Sequence, residues 1–166
     1  MKKMVLLLVL CTTSVACLAA GSDWSDFIKR VERADPQTIQ SLPESVNKIG
    51  DSLNGDRATE LATAASFALL KDPVSILNAT AEIGKSQDEL IQRFDSMMIC
   101  SLPMMNGYTR AAIEKYYAQA VTVLQNAGKP AIECLNNMRD TMDELRADGP
   151  DGKGDDEKLN TLPDVG

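Results

Sequence analysis

Between residues 22 and 147 apolar side chains recur three and four positions apart, each run closed by proline, glycine or a short polar cap, and nowhere do β-branched residues alternate with polar ones. That pattern confines the chain to helix. The expected fold is all-α, a compact bundle of six to seven short helices joined by tight links. No internal repeat of fixed period is present.

The punctuation predicts individual elements. Ser22 caps a first segment with Trp24, Phe27, Ile28 and Val31 on one face, and Pro36 closes it. Ser41 to Glu44 reads as a capping box before Leu42, Val46, Ile49 and Leu53, with Asn54 and Gly55 as a left-handed stop. An alanine-rich segment from Asp56 to Lys71 offers the thin stripe Ala58, Leu61, Ala65 and Ala68. Asp72 and Pro73 cap a segment to Ile83 that is apolar on several sides and is therefore expected to be central. Ser86 and Glu89 read as a second capping box, for a helix carrying Leu90, Phe94 and Met97 toward Cys100 and ending at Pro103. A further helix, from about Tyr108 to Ala127, holds Ile113, Tyr117, Ala120, Leu124 and Ala127 in phase and stops at Gly128 and Pro130. The last, Ala131 to Arg146, carries Ala131, Leu135, Met138, Met142 and Leu145.

Ahead of this region stands a different pattern. Lys2 and Lys3 precede an apolar run from Met4 to Leu18 that ends in Ala19, Ala20 and Gly21, the layout of a secretory signal peptide over residues 1–21. The run is too short, and too interrupted by Cys11, Thr12, Thr13 and Ser14, for a membrane span of about 20 apolar residues. Cleavage is expected after Ala19 or after Gly21, the second leaving Ser22 and Asp23 to open the mature chain. Lipidation at Cys17 is the alternative, weakened by Ser14 where a large aliphatic residue is wanted. Secretion is the expected localisation, with residues 22–147 as one helical domain. Residues 148–166, rich in Gly, Asp and Pro, lack large side chains to bury and are expected to form a disordered tail. Their acidic stretch from Asp151 to Asp156 fails as a calcium loop, because Asp156 stands where glycine is required and Leu162 where glutamate is.

Charge and composition restrict the chemistry. Removing residues 1–21 takes two lysines and lowers the net charge from −7 to −9. An acidic surface repels phosphate backbones and anionic membranes, so no nucleic-acid partner is expected. Histidine is absent, which removes the commonest general base and zinc ligand. The carboxylates read as helix caps or solvated charges, so no enzyme activity, cofactor or metal is expected.

The mature chain would retain Cys100 and Cys134, and an even count in an exported protein argues for a disulfide. A helix of about 20 residues between them is roughly 30 Å long and carries the chain from pole to pole, whereas bridged Cα atoms lie within about 7 Å. Three solutions remain open for a bridge: residues 101–107 climb back, the helices cross steeply, or the bond joins two chains; two free buried thiols are the alternative to any bridge. Asn78-Ala79-Thr80 is the one glycosylation sequon, on a segment expected to be central.

Methionine supplies the functional hint. Met97, Met98, Met104 and Met105 crowd around Pro103, and Met138 and Met142 line the last helix with Leu135; thioethers adapt to irregular apolar partners. These seven residues are the candidate ligand-binding set, facing a common site between two helices. The expected function is that of a secreted, monomeric, non-enzymatic binding protein for an apolar small molecule, with a secreted interaction protein of effector or antigen type as the alternative.

Overall fold

The computed structural model of the chain describes residues 16–53, 55–105 and 107–147. Among them are nine α-helices and two 3-10 turns and no strand, seven of the helices having eight residues or more. Residues 1–15 of the expected signal peptide and the expected tail, residues 148–166, lie outside the described residues.

Helix α1, Ala16–Glu32, runs unbroken through Ala19, Ala20 and Gly21, so in the intact chain the expected cap at Ser22 is not used. It packs mainly on α4, Gly55–Ala68, which buries the small residues Ala62, Ala65 and Ala68, and its own Ile28 and Val31 are buried. Trp24 lies at this seam, donating from Nε1 to Glu60 at 2.7 Å beneath the Arg57 guanidinium, which sits 5.1 Å from the ring centre. The helix ends in a paired-turn cap: Asp35 N–H donates to the Arg30 carbonyl and Ala34 N–H to Val31, with Ala34 in the left-handed region at φ 56°.

Pro36 does more than end the first segment. Asp35 accepts from the Thr38 backbone N–H at 2.9 Å and from its hydroxyl at 2.7 Å, capping α2, Pro36–Gln40. The expected capping box at Ser41 does not form, because the Ser41 hydroxyl turns back to the Gln37 carbonyl at 3.0 Å and is spent on the preceding helix. Helix α3, Leu42–Ile49, still buries Leu42 and Val46, and it stops at Gly50, φ 47°, instead of at Asn54 and Gly55. Helix α5, Pro73–Ile83, has the expected cap, Asp72 accepting from Ser75 N–H at 3.1 Å.

The expected continuous helix from Ser86 to Cys100 is two helices. Asp88 caps α6, Glu89–Gln92, and Asp95 then accepts from Met98 N–H at 2.9 Å, capping α7, Ser96–Met105. A second capping carboxylate offers the backbone an alternative to continuing the helix, and the phase resets between them. Phe94 is buried in the break while Leu90 and Met97, expected on the inner stripe, are exposed.

Pro103 does not end α7, which continues to Met105. A proline inside a helix leaves the carbonyl four residues back without its N–H donor, here that of fully buried Ile99. The Ser66 hydroxyl of α4 supplies the missing donor at 2.8 Å. Ser66 is a hub, since its own carbonyl, near the end of α4, accepts from the buried Tyr116 hydroxyl at 3.0 Å.

Helix α8, Arg110–Ala127, opens on a Thr109 cap and stops at Gly128, whose φ of 69° suits glycine. Its inner stripe is Ile113, Tyr116, Ala120 and Leu124; Tyr117, expected inside, lies half-buried under Arg146. A 3-10 turn leads into α9, Ile132–Ala147, which buries Leu135, Met138 and Met142 as expected. Arg110 donates to the Leu145 carbonyl in the last turn of α9, a favourable place for a cation. Buried residues from Ile28 to Met142 form one cluster.

Candidate functional site

Cys100 and Cys134 are bridged within the chain, their Cα atoms 5.5 Å apart. Helices α7 and α9 lie side by side in opposing directions, since Asn137 also donates to the Met97 carbonyl at 3.0 Å. Residues 101–105 do not climb back as extended chain but stay helical, and Arg110 at the start of α8 reaches the Leu145 carbonyl near the end of α9. Both cysteines are buried, so the bond is shielded from solvent.

The seven candidate binding residues divide into two groups. Met104, Leu135, Met138 and Met142 face inward as part of the core. Met97 and Met105 face outward, 57% and 55% exposed, and Met98 is half-buried. The first group is divided between α7 and α9, the second lies wholly on α7, and the exposed side of α7 is unusual in composition. From Ser96 to Met105 there is no charged residue. The helix buries Ile99, Cys100, Ser101, Pro103 and Met104 and packs part of Leu102 against the core, while Met97 and Met105 are exposed beside half-buried Met98. A surface helix ordinarily turns charged or polar residues outward; α7 turns thioethers.

Two open surface grooves lie elsewhere. One, of about 520 Å³, separates α2 and α3 from α5 and is lined by Pro36, Ile39, Pro43 and Asn78 among others. The second, of about 380 Å³, runs along α8 beside Ala118, Thr122 and Val123, with Leu70 opposite. Neither is lined by a methionine. Asn78 is exposed on α5, so burial does not hinder it as the apolar character of that segment had implied. Thr80 of the same sequon is buried, its hydroxyl 3.0 Å from the Ile76 carbonyl and 2.8 Å from the Ser96 hydroxyl. Helix α5 is thus central in its neighbours, touching α2, α3, α4, α7 and α8, yet keeps one face open.

Electrostatics at the surface are those of caps and pairs. Hydrogen bonds from Thr38 hold the Asp35 carboxyl below its ordinary range, and the hydrogen-bonded Arg146 guanidinium does the same to Glu114. Arg146 is raised in return. Burial pushes the Tyr116 and Tyr108 hydroxyls up. Among the described residues, no cluster of three or more potential metal ligands occurs and no helix is long and apolar enough to cross a membrane.

No family model matches the chain, nor does any curated protein or solved structure.

Proposed function

We propose that this is a secreted, non-enzymatic binding protein that engages a protein partner through the outer side of α7. The observation that carries the reading is the uncharged α7, with Met97 and Met105 more than half exposed beside half-buried Met98. Flexible thioethers suit an apolar interface that must adapt to its partner. Export is supported by the basic, apolar and small-residue start of the sequence and by the buried Cys100–Cys134 bond, which persists in oxidising compartments. The mature unit is a disulfide-tied helical bundle.

Carriage of an apolar small molecule is the second reading, and the clustering of Met104, Met138 and Met142 favours it to the extent that they form one soft, apolar region. That region is packed, at 2%, 0% and 0% exposure, so a ligand must displace side chains from one another.

One experiment separates the two. An anilinonaphthalene probe should bind the purified protein, and the double substitution Met97→Glu with Met105→Glu should abolish binding while circular dichroism is unchanged. Probe binding that survives this change but is lost in Met138→Glu would move the site to the interior and establish the carrier.

A further inference from the structure

The outer side of α7 carries two chemically addressable sulfurs. Methionine is oxidised by peroxide-class oxidants wherever the thioether is reached, and the sulfoxide turns a flexible apolar side chain polar. Met97 and Met105 are 57% and 55% exposed, whereas Met104, Met138 and Met142 are 2%, 0% and 0%. They stand eight residues apart on one helix, about 12 Å along its axis. The neighbouring sulfurs of Cys100 and Cys134 are already paired and buried, which leaves the exposed thioethers as the accessible reduced sulfur on this face.

We infer that Met97 and Met105 are the oxidation sites among the described methionines, and that their conversion to sulfoxides by hydrogen peroxide or a related two-electron oxidant switches the α7 face from apolar to polar. In each event the peroxide O–O bond breaks and an S–O bond forms. Sulfur loses two electrons, the transferred oxygen stays on it, and the remainder of the peroxide leaves as water. The fold is untouched because neither side chain is part of the buried core. The change is reversible by thiol-dependent reduction of the sulfoxide. The switching half of this inference rests on the reading of α7 as the docking face; the selectivity rests on exposure alone.

Folded, disulfide-bonded protein treated with millimolar hydrogen peroxide and mapped by peptide mass spectrometry should gain oxygen at Met97 and Met105 at least tenfold faster than at Met104, Met138 and Met142. Half-buried Met98 should fall between. Circular dichroism should stay constant while anilinonaphthalene binding falls severalfold, and peroxide should leave the probe signal of Met97→Leu with Met105→Leu at that variant's own untreated level. Equal oxidation rates at all five positions would overturn the selectivity. Probe binding that persists in the doubly oxidised wild-type protein would overturn the switch. Untreated protein that never binds the probe would instead refute the docking face and, with it, the switch, leaving the oxidation rates to decide the selectivity.

Discussion

Replacing Ser66 by alanine removes one hydroxyl and should cost far more than one methyl-sized change, because of Pro103. In a helix without proline the Ile99 carbonyl would receive the N–H of residue 103; here the donor at 2.8 Å is Ser66 Oγ from another helix. Ile99 is fully buried, so water does not replace the lost donor, and an unsatisfied buried acceptor costs about 1–3 kcal/mol. Ser66 also lies 2.9 Å from the Ala62 carbonyl, but that is the ordinary local contact of a helical serine and its loss costs little. The consequence is a specific coupling. Pro103→Ala restores a backbone N–H to the Ile99 carbonyl, so Ser66→Ala introduced on top of it should cost less than about 1 kcal/mol, within the range of a hydrogen bond that is replaced instead of left unmade. Urea unfolding of the four proteins of this double-mutant cycle, all with the disulfide intact, measures the effect, provided the slope against denaturant is common to them. Strictly additive costs would refute the account of why proline is tolerated within α7.

Three further outcomes follow from other parts of the molecule. Cys100→Ser with Cys134→Ser should lower stability by roughly 3–4 kcal/mol on the chain-entropy estimate for a loop of this size, read by urea unfolding, and the wild type should migrate as a monomer on non-reducing electrophoresis. The Asp35 carboxyl, lowered by its bonds from Thr38, binds its proton more weakly in the folded than in the unfolded chain. Its contribution is therefore present above the ordinary value of 3.8 and is lost as pH falls through the lowered one; thermal unfolding of Asp35→Asn should lose this part of the acid sensitivity. Edman sequencing of exported protein should begin at Ala20 or Ser22, and an intact Met1 on exported material would contradict the leader reading.

Helices are legible in this sequence where the signal is local. The Asp72–Pro73 cap, the stop at Gly128 and the stripe of α9 need only near neighbours in the chain, and they stand as read. Asp35–Pro36 carries the same cue as Asp72–Pro73 and yields α2, which a reading of Pro36 as a stop overlooks. Elsewhere the deciding partner is distant in sequence. Tyr116 and Tyr117 are both in phase with Ile113 and Ala120, and partners distant in sequence separate them: the Ser66 carbonyl and the Phe67 ring of α4 hold Tyr116 inside, and Arg146 covers Tyr117. Pro103 ends a helix unless some other group serves Ile99, and Ser66 lies 33 residues away. The methionines of α7 have no charged residue among them to set a phase, so spacing alone does not tell Met104, inside, from Met105, outside. The outer face of α7 was visible as a methionine-rich stretch, and its division into packed and exposed halves belongs to the tertiary structure.

The central claim, that the outer side of α7 is a binding face for a protein, is tested most directly by position-specific photocrosslinking in the exported fraction of the native source. Benzoylphenylalanine placed at Met97 or Met105 should give the same single crosslinked species, and placement at exposed Gln125 or Asp140, on α8 and α9, should give none. Excess unlabelled wild-type protein should compete the species away, and protein with Met97→Glu and Met105→Glu should not. Crosslinks from all four positions alike, or competition by the glutamate variant as effective as by wild type, would contradict the claim.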